Sequence, residues 1–254
     1  MRKVFVCLAI SGCVAAIGFA QNSKATAAIN TAVGCTVANA TTQGTAPLTC
    51  HDVFSGAAMP VTPDNFATIM SASVKVSGSQ SLFATPSLVT GLYTSTAVKS
   101  SPGSGPSKAV AEGAVFVRAV LTDSTGKIVM IADPVGICTN DILGCQPDSN
   151  GDFGVVFDSR IQQLTQDISS CVVSTGGSCT FDLTTQLVLK TTSAHSFGFI
   201  FPNIGQGAYT VQIQAAVDAN ATVASGSGTA VGAAAFGLGS LTVETVRLVH
   251  DFSF

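Results

Sequence analysis

Asp148-Ser149-Asn150-Gly151-Asp152 sets three oxygen-bearing side chains at alternate positions, the spacing with which one short loop gathers ligands around a hard cation. Calcium is the cation such a loop would take, and Asp148, Asn150 and Asp152 are its candidate ligands. The second half of an EF-hand-like loop is missing. Phe153 stands where a sixth-position glycine is needed, and Ser159 stands at position twelve with Asp158 one residue early. A polar turn leading into a strand over 154–158 draws on the same residue types for its backbone geometry alone. Both readings are open at this point.

Nucleophilic chemistry has few residues to work with. The three histidines, His51, His195 and His250, are far apart in sequence, and no G-x-S-x-G elbow occurs. His195 leads an apolar strand face, a position that predicts a hydrogen-bonded structural imidazole. Glutamate occurs only at Glu112 and Glu244, a thin supply for paired-carboxylate hydrolysis.

The cysteines are read through the segment that decides their compartment. Residues 1–20 have a basic start at Arg2 and Lys3, an apolar run from Val4 to Ala16 and the small residues of Gly18-Phe19-Ala20, as an export signal cleaved after Ala20 would. Cys7 and Cys13 leave with it. Ile10-Ser11-Gly12-Cys13 also resembles the lipobox of bacterial lipoprotein signals, which would imply a lipid anchor at Cys13. The apolar stretch of Val14 to Ala20 stands where such proteins begin a polar tether. Six cysteines remain as local pairs that bracket loops, and the predicted bridges are Cys35–Cys50, Cys138–Cys145 and Cys171–Cys179. Closing a loop of about 15 residues contributes roughly 3 kcal/mol in the chain-entropy model. A zinc site fits the last four poorly, because six and seven residues separate the members of each pair.

Cleavage would leave nine Lys and Arg against the 14 Asp and Glu, a net charge of −5. With no basic cluster to release counterions from phosphate, nucleic acid is excluded as a partner class. Charged residues are 10% of the chain, so Ser, Thr, Asn, Gln and Gly must cover its surface, a composition suited to exported β proteins. Despite a mean hydropathy of +0.49, no later apolar run reaches the 18 residues a transmembrane helix needs. Stepping back by twos from Phe254 gives Phe252, His250, Leu248 and Val246, which resembles the last strand of bacterial outer-membrane barrels. Two Tyr and no Trp do not supply the aromatic girdles of such barrels.

The elements that must position these groups are predominantly strands. Residues 21–64, rich in Ala, Thr, Asn and Gly, are read as a loop-rich arm, and residues 65–254 as a single sandwich domain. Strand signals lie at 73–77, 87–94 and 113–122, the last continuing through the turn Thr122 to Lys127 into Ile128 to Ile131. Ile161, Leu164 and Ile168 at helical spacing predict a short helix over 160–168; over 182–194 Leu183 and Leu187 suit a helix face while 186–192 also suits a strand, and a helix is the expectation. Phe197, Phe199 and Phe201 alternate ahead of Gly205-Gln206-Gly207, and Tyr209 to Val217 alternate after it, the pattern of a hairpin. Residues 229–236 and 241–249 add two more strands. Together these predict an all-β chain with one or two short helices, folded as an antiparallel β-sandwich of jelly-roll type.

The function expected from these residues is that of an exported, non-enzymatic structural or cell-surface protein, extracellular or periplasmic. The alternatives are a secreted carbohydrate-binding module and a secreted hydrolase. A Ser/Thr/Gln-rich sheet surface offers itself to surface glycans or to self-association, and the residues leave the oligomeric state open.

Overall fold

The computed structural model describes residues 25–30, 33–42, 65–102, 104–137, 145–148, 150–168 and 183–246. They form twelve strands: β1 (Ala25–Asn30), β2 (Gly34–Thr41), β3 (Ala67–Val76), β4 (Gln80–Ser100), β5 (Ser107–Thr122), β6 (Ile128–Ile131), β7 (Cys145–Pro147), β8 (Phe153–Gln166), β9 (Leu183–Ser196), β10 (Phe199–Ile204), β11 (Gly207–Ser225) and β12 (Ser227–Val246). Among the described residues the helical content is one 3₁₀ turn, Val135–Ile137.

All pairings between strands are antiparallel and fall into two sheets. In the first, β1 and β2 lie successively along one side of β12, β4 lies on its other side, and β9 and β10 lie successively along the far side of β4. The second runs β3–β11–β5–β8–β7, with β6 beside the end of β5. Each early strand therefore pairs with a late one: β2 with β12, β3 with β11, β4 with β9 and β10, β5 with β8. That nesting is an antiparallel ribbon wrapped into two sheets, and the chain is a jelly-roll β-sandwich, as its alternations predict.

Inward alternation builds the core. Phe199, Phe201, Leu82, Leu88, Leu121, Ile213 and Leu241 are fully buried between the sheets, joined by Phe236 and the valines of β3, β5 and β11. Toward the other end the packing residues shrink to Val98, Ala109, Ala111 and Ala230. There the sheets meet backbone to backbone. A Cβ on Gly232 of β12 would run into the carbonyls of Glu112 and Asn220, and one on Gly113 of β5 would lie 2.6 Å from the carbonyl of Ala233.

Several local expectations are corrected. Residues 160–166 and 183–194 are not helical but belong to the long strands β8 and β9, and 167–168 lie beyond the end of β8. In β8 the alternate positions Gln162 and Leu164 turn inward while Ile161 is 69% exposed, so polar inward residues hid the period of two. The arm read as loops contains β1 and β2, whose Ala- and Thr-rich sequences carry little apolar alternation yet complete the first sheet. The phenylalanine strand and its successor do not form a hairpin. β10 pairs with β4 and β11 with β3 and β5, so Gly205 and Gln206 carry the chain from one sheet to the other and the two apolar faces meet across the core.

Residues 229–236 and 241–246 belong to one strand, β12, interrupted by a bulge at Leu238 with φ of 42°. The turn after Thr122 is as predicted. Asp123 accepts from the Thr125 hydroxyl and from the Thr125 and Lys127 N–H groups, and Gly126 takes φ of 83°. The Thr125 hydroxyl, with the Thr125 N–H behind it, holds the Asp123 carboxyl below its ordinary pKa.

Candidate functional site

The polar groups with chemical potential gather where β4 and β9 of the first sheet face β8 of the second. A bulge places them there. Val115 pairs with Asp158 while Phe116 pairs with Val156, so Phe157 is the extra residue and it and Asp158 both turn toward the interior. Phe157 is buried in the core, its ring edge-on to the His195 imidazole at 5.8 Å and 81°. Asp158 accepts a 2.5 Å hydrogen bond from the Thr90 hydroxyl of β4. From β9, His195 Nε2 lies 3.3 Å from the same carboxylate oxygen and 2.7 Å from Ser193 Oγ.

Ser, His and Asp are thus in contact, but not in the arrangement that activates a nucleophile. That arrangement needs the carboxylate on one ring nitrogen and the serine on the other, so that the carboxylate fixes the tautomer and the free lone pair faces the hydroxyl. Here Ser193 and Asp158 both meet Nε2. With the proton on Nε2 the ring serves the carboxylate and its lone pair is on Nδ1; with the proton on Nδ1, Nε2 can accept from Ser193, but Asp158 then faces no ring N–H. The Ser193 hydroxyl also lies 3.5 Å from Asp158 and 3.4 Å from Thr90 Oγ1, which closes a four-membered polar cluster linking the two sheets.

One turn of alternation further along, the layer continues. Gln162 of β8 is buried, accepts from Thr94 Oγ1 at 2.7 Å, and donates to Thr96 Oγ1 and to the Leu187 carbonyl, each at 2.7 Å. Between these groups Arg160 donates through Nη2 to Thr191 Oγ1, and its buried Nη1 has no hydrogen-bond partner among the described residues. His195 is the one member that sequence reading singled out as a hydrogen-bonded imidazole, and it meets Ser193 and Asp158 through Nε2. Asp158 was noticed only as a misplaced loop ligand, and Ser193, Thr90, Arg160 and Gln162 gave no signal, because the pairing that gathers them joins residues from 25 to 103 positions apart.

The Asp148–Asp152 loop lies elsewhere, on the outer face of the second sheet. Asp148 Oδ1 accepts from the N–H groups of Asn150 and Asp152 at 2.9 Å, and Oδ2 accepts from Phe66 N–H at 3.0 Å. Gly151 takes φ of 81° to close the turn. Asp152 pairs at 3.3 Å with Arg118, which also donates to Gln214 and stacks 4.4 Å from the centre of the Phe66 ring. A cation at this loop would compete with three backbone N–H groups and a guanidinium for the same carboxylates. Among the described residues no three His, Cys, Asp or Glu side chains gather into a metal-sized group.

Cys35 and Cys145 are buried in β2 and at the start of β7. Their expected partners Cys50 and Cys138, together with Cys171, Cys179, the signal segment 1–20 with Cys13, and the terminal residues 247–254, lie outside the described residues. Among the described residues no helix is long and apolar enough to cross a membrane.

No family model and no curated protein matches the chain. Among solved structures, a chain in the structure of infectious bursal disease virus, Gx strain, is similar over 88% of this chain and 40% of its own length, at 9% identity and a TM-score of 0.20. This chain spans less than half of that one, and a likeness of that degree bears on no role.

Proposed function

We propose that this is an exported, non-enzymatic structural or cell-surface protein whose rigid jelly roll presents a weakly charged sheet surface. The observation that carries the reading is the contact of Ser193 and Asp158 with one and the same nitrogen of His195, an arrangement that supports an inter-sheet tie over a proton relay. Low charge and the abundance of Ser, Thr and Gln support a surface exposed to the extracellular or periplasmic side. The six cysteines expected after cleavage would pin its loops as Cys35–Cys50, Cys138–Cys145 and Cys171–Cys179. The secreted hydrolase is the second reading, favoured by the 2.7 Å approach of Ser193 to His195.

One assay separates the two. The purified protein is expected to leave a panel of ester, peptide and glycoside substrates intact. Turnover that disappears in both Ser193→Ala and His195→Ala would establish the hydrolase and overturn the structural role. Compartment is tested by intact mass, expected to equal residues 21–254 less six hydrogens. A diacylglyceryl species beginning at Cys13, or six thiols open to alkylation, would refute the export and bridge assignments.

A further inference from the structure

We infer that β9 is a self-association edge, through which two copies of this chain pair antiparallel about a two-fold axis at Val188. β9 is bonded to β4 on one side and to no strand on the other among the described residues. Every residue from Leu183 to Lys190 is exposed, and Leu183, Leu187, Val188 and Leu189 are each 40–48% exposed. A long, open, apolar edge of this kind is a template for strand addition.

The sequence of the edge says which strand it fits. Thr184-Thr185-Gln186-Leu187-Val188-Leu189-Lys190-Thr191-Thr192 reads almost the same in both directions about Val188, with Gln186 against Lys190 as the one mismatch. In an antiparallel pair centred on Val188, residue i of one copy meets residue 376 − i of the other. Leu187 then faces Leu189 twice, Val188 faces Val188, and Thr185 and Thr184 face Thr191 and Thr192. Apolar and Thr–Thr neighbours of this kind favour cross-strand pairing.

The partners in each pair have the same parity, so residues that face the sandwich interior in one copy meet residues that do so in the other. Thr191, Ser193 and His195 reach β8, which places Leu187 and Leu189 on that interior side. Pairing would therefore extend the first sheet through the dimer and cover the leucines that β8 leaves open.

Charge selects the register. Lys190 is the single charged residue of β9, and centring on Val188 sets it opposite the Gln186 amide. An antiparallel register centred on Lys190, or a parallel in-register stack, would put two ammonium groups face to face, which is destabilising. The edge is thus matched to one arrangement of a second copy and opposed to indefinite stacking. The resulting interface is isologous and closed. This inference is independent of whether the exported protein is structural or hydrolytic.

The test uses the purified exported protein. Sedimentation should show a reversible monomer–dimer equilibrium. Val188→Lys, which sets two lysines on the axis, should raise the dissociation constant at least about tenfold. Register is read with a short thiol cross-linker and peptide mapping. Val188→Cys should link to itself across the dimer, Gln186→Cys should not, and Gln186→Cys combined with Lys190→Cys should link again. A protein that sediments as a monomer up to about 0.1 mM, where a dimer of useful affinity would form, refutes the proposal. So does a dimer that Val188→Lys does not weaken while remaining folded, or Gln186→Cys linking as fast as Val188→Cys. Should Val188→Lys fail to fold, the cysteine pattern alone decides.

Discussion

Gly232→Val is expected to prevent the chain from reaching its native state, and Gly232→Ala to lower its melting temperature by roughly 6–12 °C. The cause is the meeting of the two sheets at the small-residue end of the sandwich. Sheets normally pack about 10 Å apart because side chains fill the space between them. Here β12 lies directly against β5 and β11, and any Cβ at Gly232 would overlap the Glu112 carbonyl and come within 2.6 Å of the Asn220 carbonyl. Those two residues are paired with each other across β5 and β11, so neither oxygen can retreat without breaking the ladder. Overpacking against mobile side chains costs about 1–3 kcal/mol, and against paired backbone the upper end is the appropriate figure for one methyl group. Gly198, around which a Cβ would meet nothing within 4 Å, is the control, and Gly198→Ala should melt with the wild type. Thermal denaturation followed by circular dichroism makes the comparison. A Gly232→Ala protein as stable as the control would mean that the sheets are not in backbone contact.

The same close approach shows what could be read in the sequence and what could not. Alternation in 113–122 and 209–217 identified strands because their inward residues are apolar and their period is two. The turn after Thr122 was legible because Asp123 and Gly126 do local work within six residues. Pairing was not legible. Nothing in Phe199 or Val211 distinguishes a partner across the sheet from a partner across the core, and the hairpin expected there became two strands in opposite sheets. The strand start over 154–158 was legible, but the second half of β8 and most of β9 were read as helices because their interior faces carry Arg160, Gln162, Thr191 and Ser193, which masks the period of two. The candidate site was hidden for the same reason. Its geometry arises from a bulge at Phe157 and from nested long-range pairing, neither of which has a local signature.

Truncating Gln162 to alanine should cost about 4 kcal/mol, a fall in melting temperature of roughly 8–16 °C, whereas removing the whole polar triad should cost almost nothing. Gln162 satisfies the Thr94 and Thr96 hydroxyls, both fully buried, and donates to the Leu187 carbonyl. Gln162→Ala strands these groups in a low-dielectric interior and opens a cavity between β8 and β4, so desolvation and lost packing add. In the triple variant Thr94→Val, Thr96→Val, Gln162→Leu, shape is kept, no threonine hydroxyl is left unpaired, and only the part-buried Leu187 carbonyl loses a donor. Its stability should lie within about 1 kcal/mol of the wild type, since hydrogen bonds exchanged for well-packed hydrocarbon are close to neutral. What the triple variant should lose is specification. Gln162 fits only where Thr94 and Thr96 stand opposite it, which fixes how far β8 slides along β4, and a uniformly apolar face would pack in neighbouring registers as well. The expected signature is a native-like melting temperature with broadened amide resonances along β4, β8 and β9. If Gln162→Ala is no more harmful than Thr94→Val alone, the three bonds are not made. If the triple variant is both as stable and as sharply ordered as the wild type, the polar layer does not set the register, and its members at His195 and Ser193 need another reason to be there.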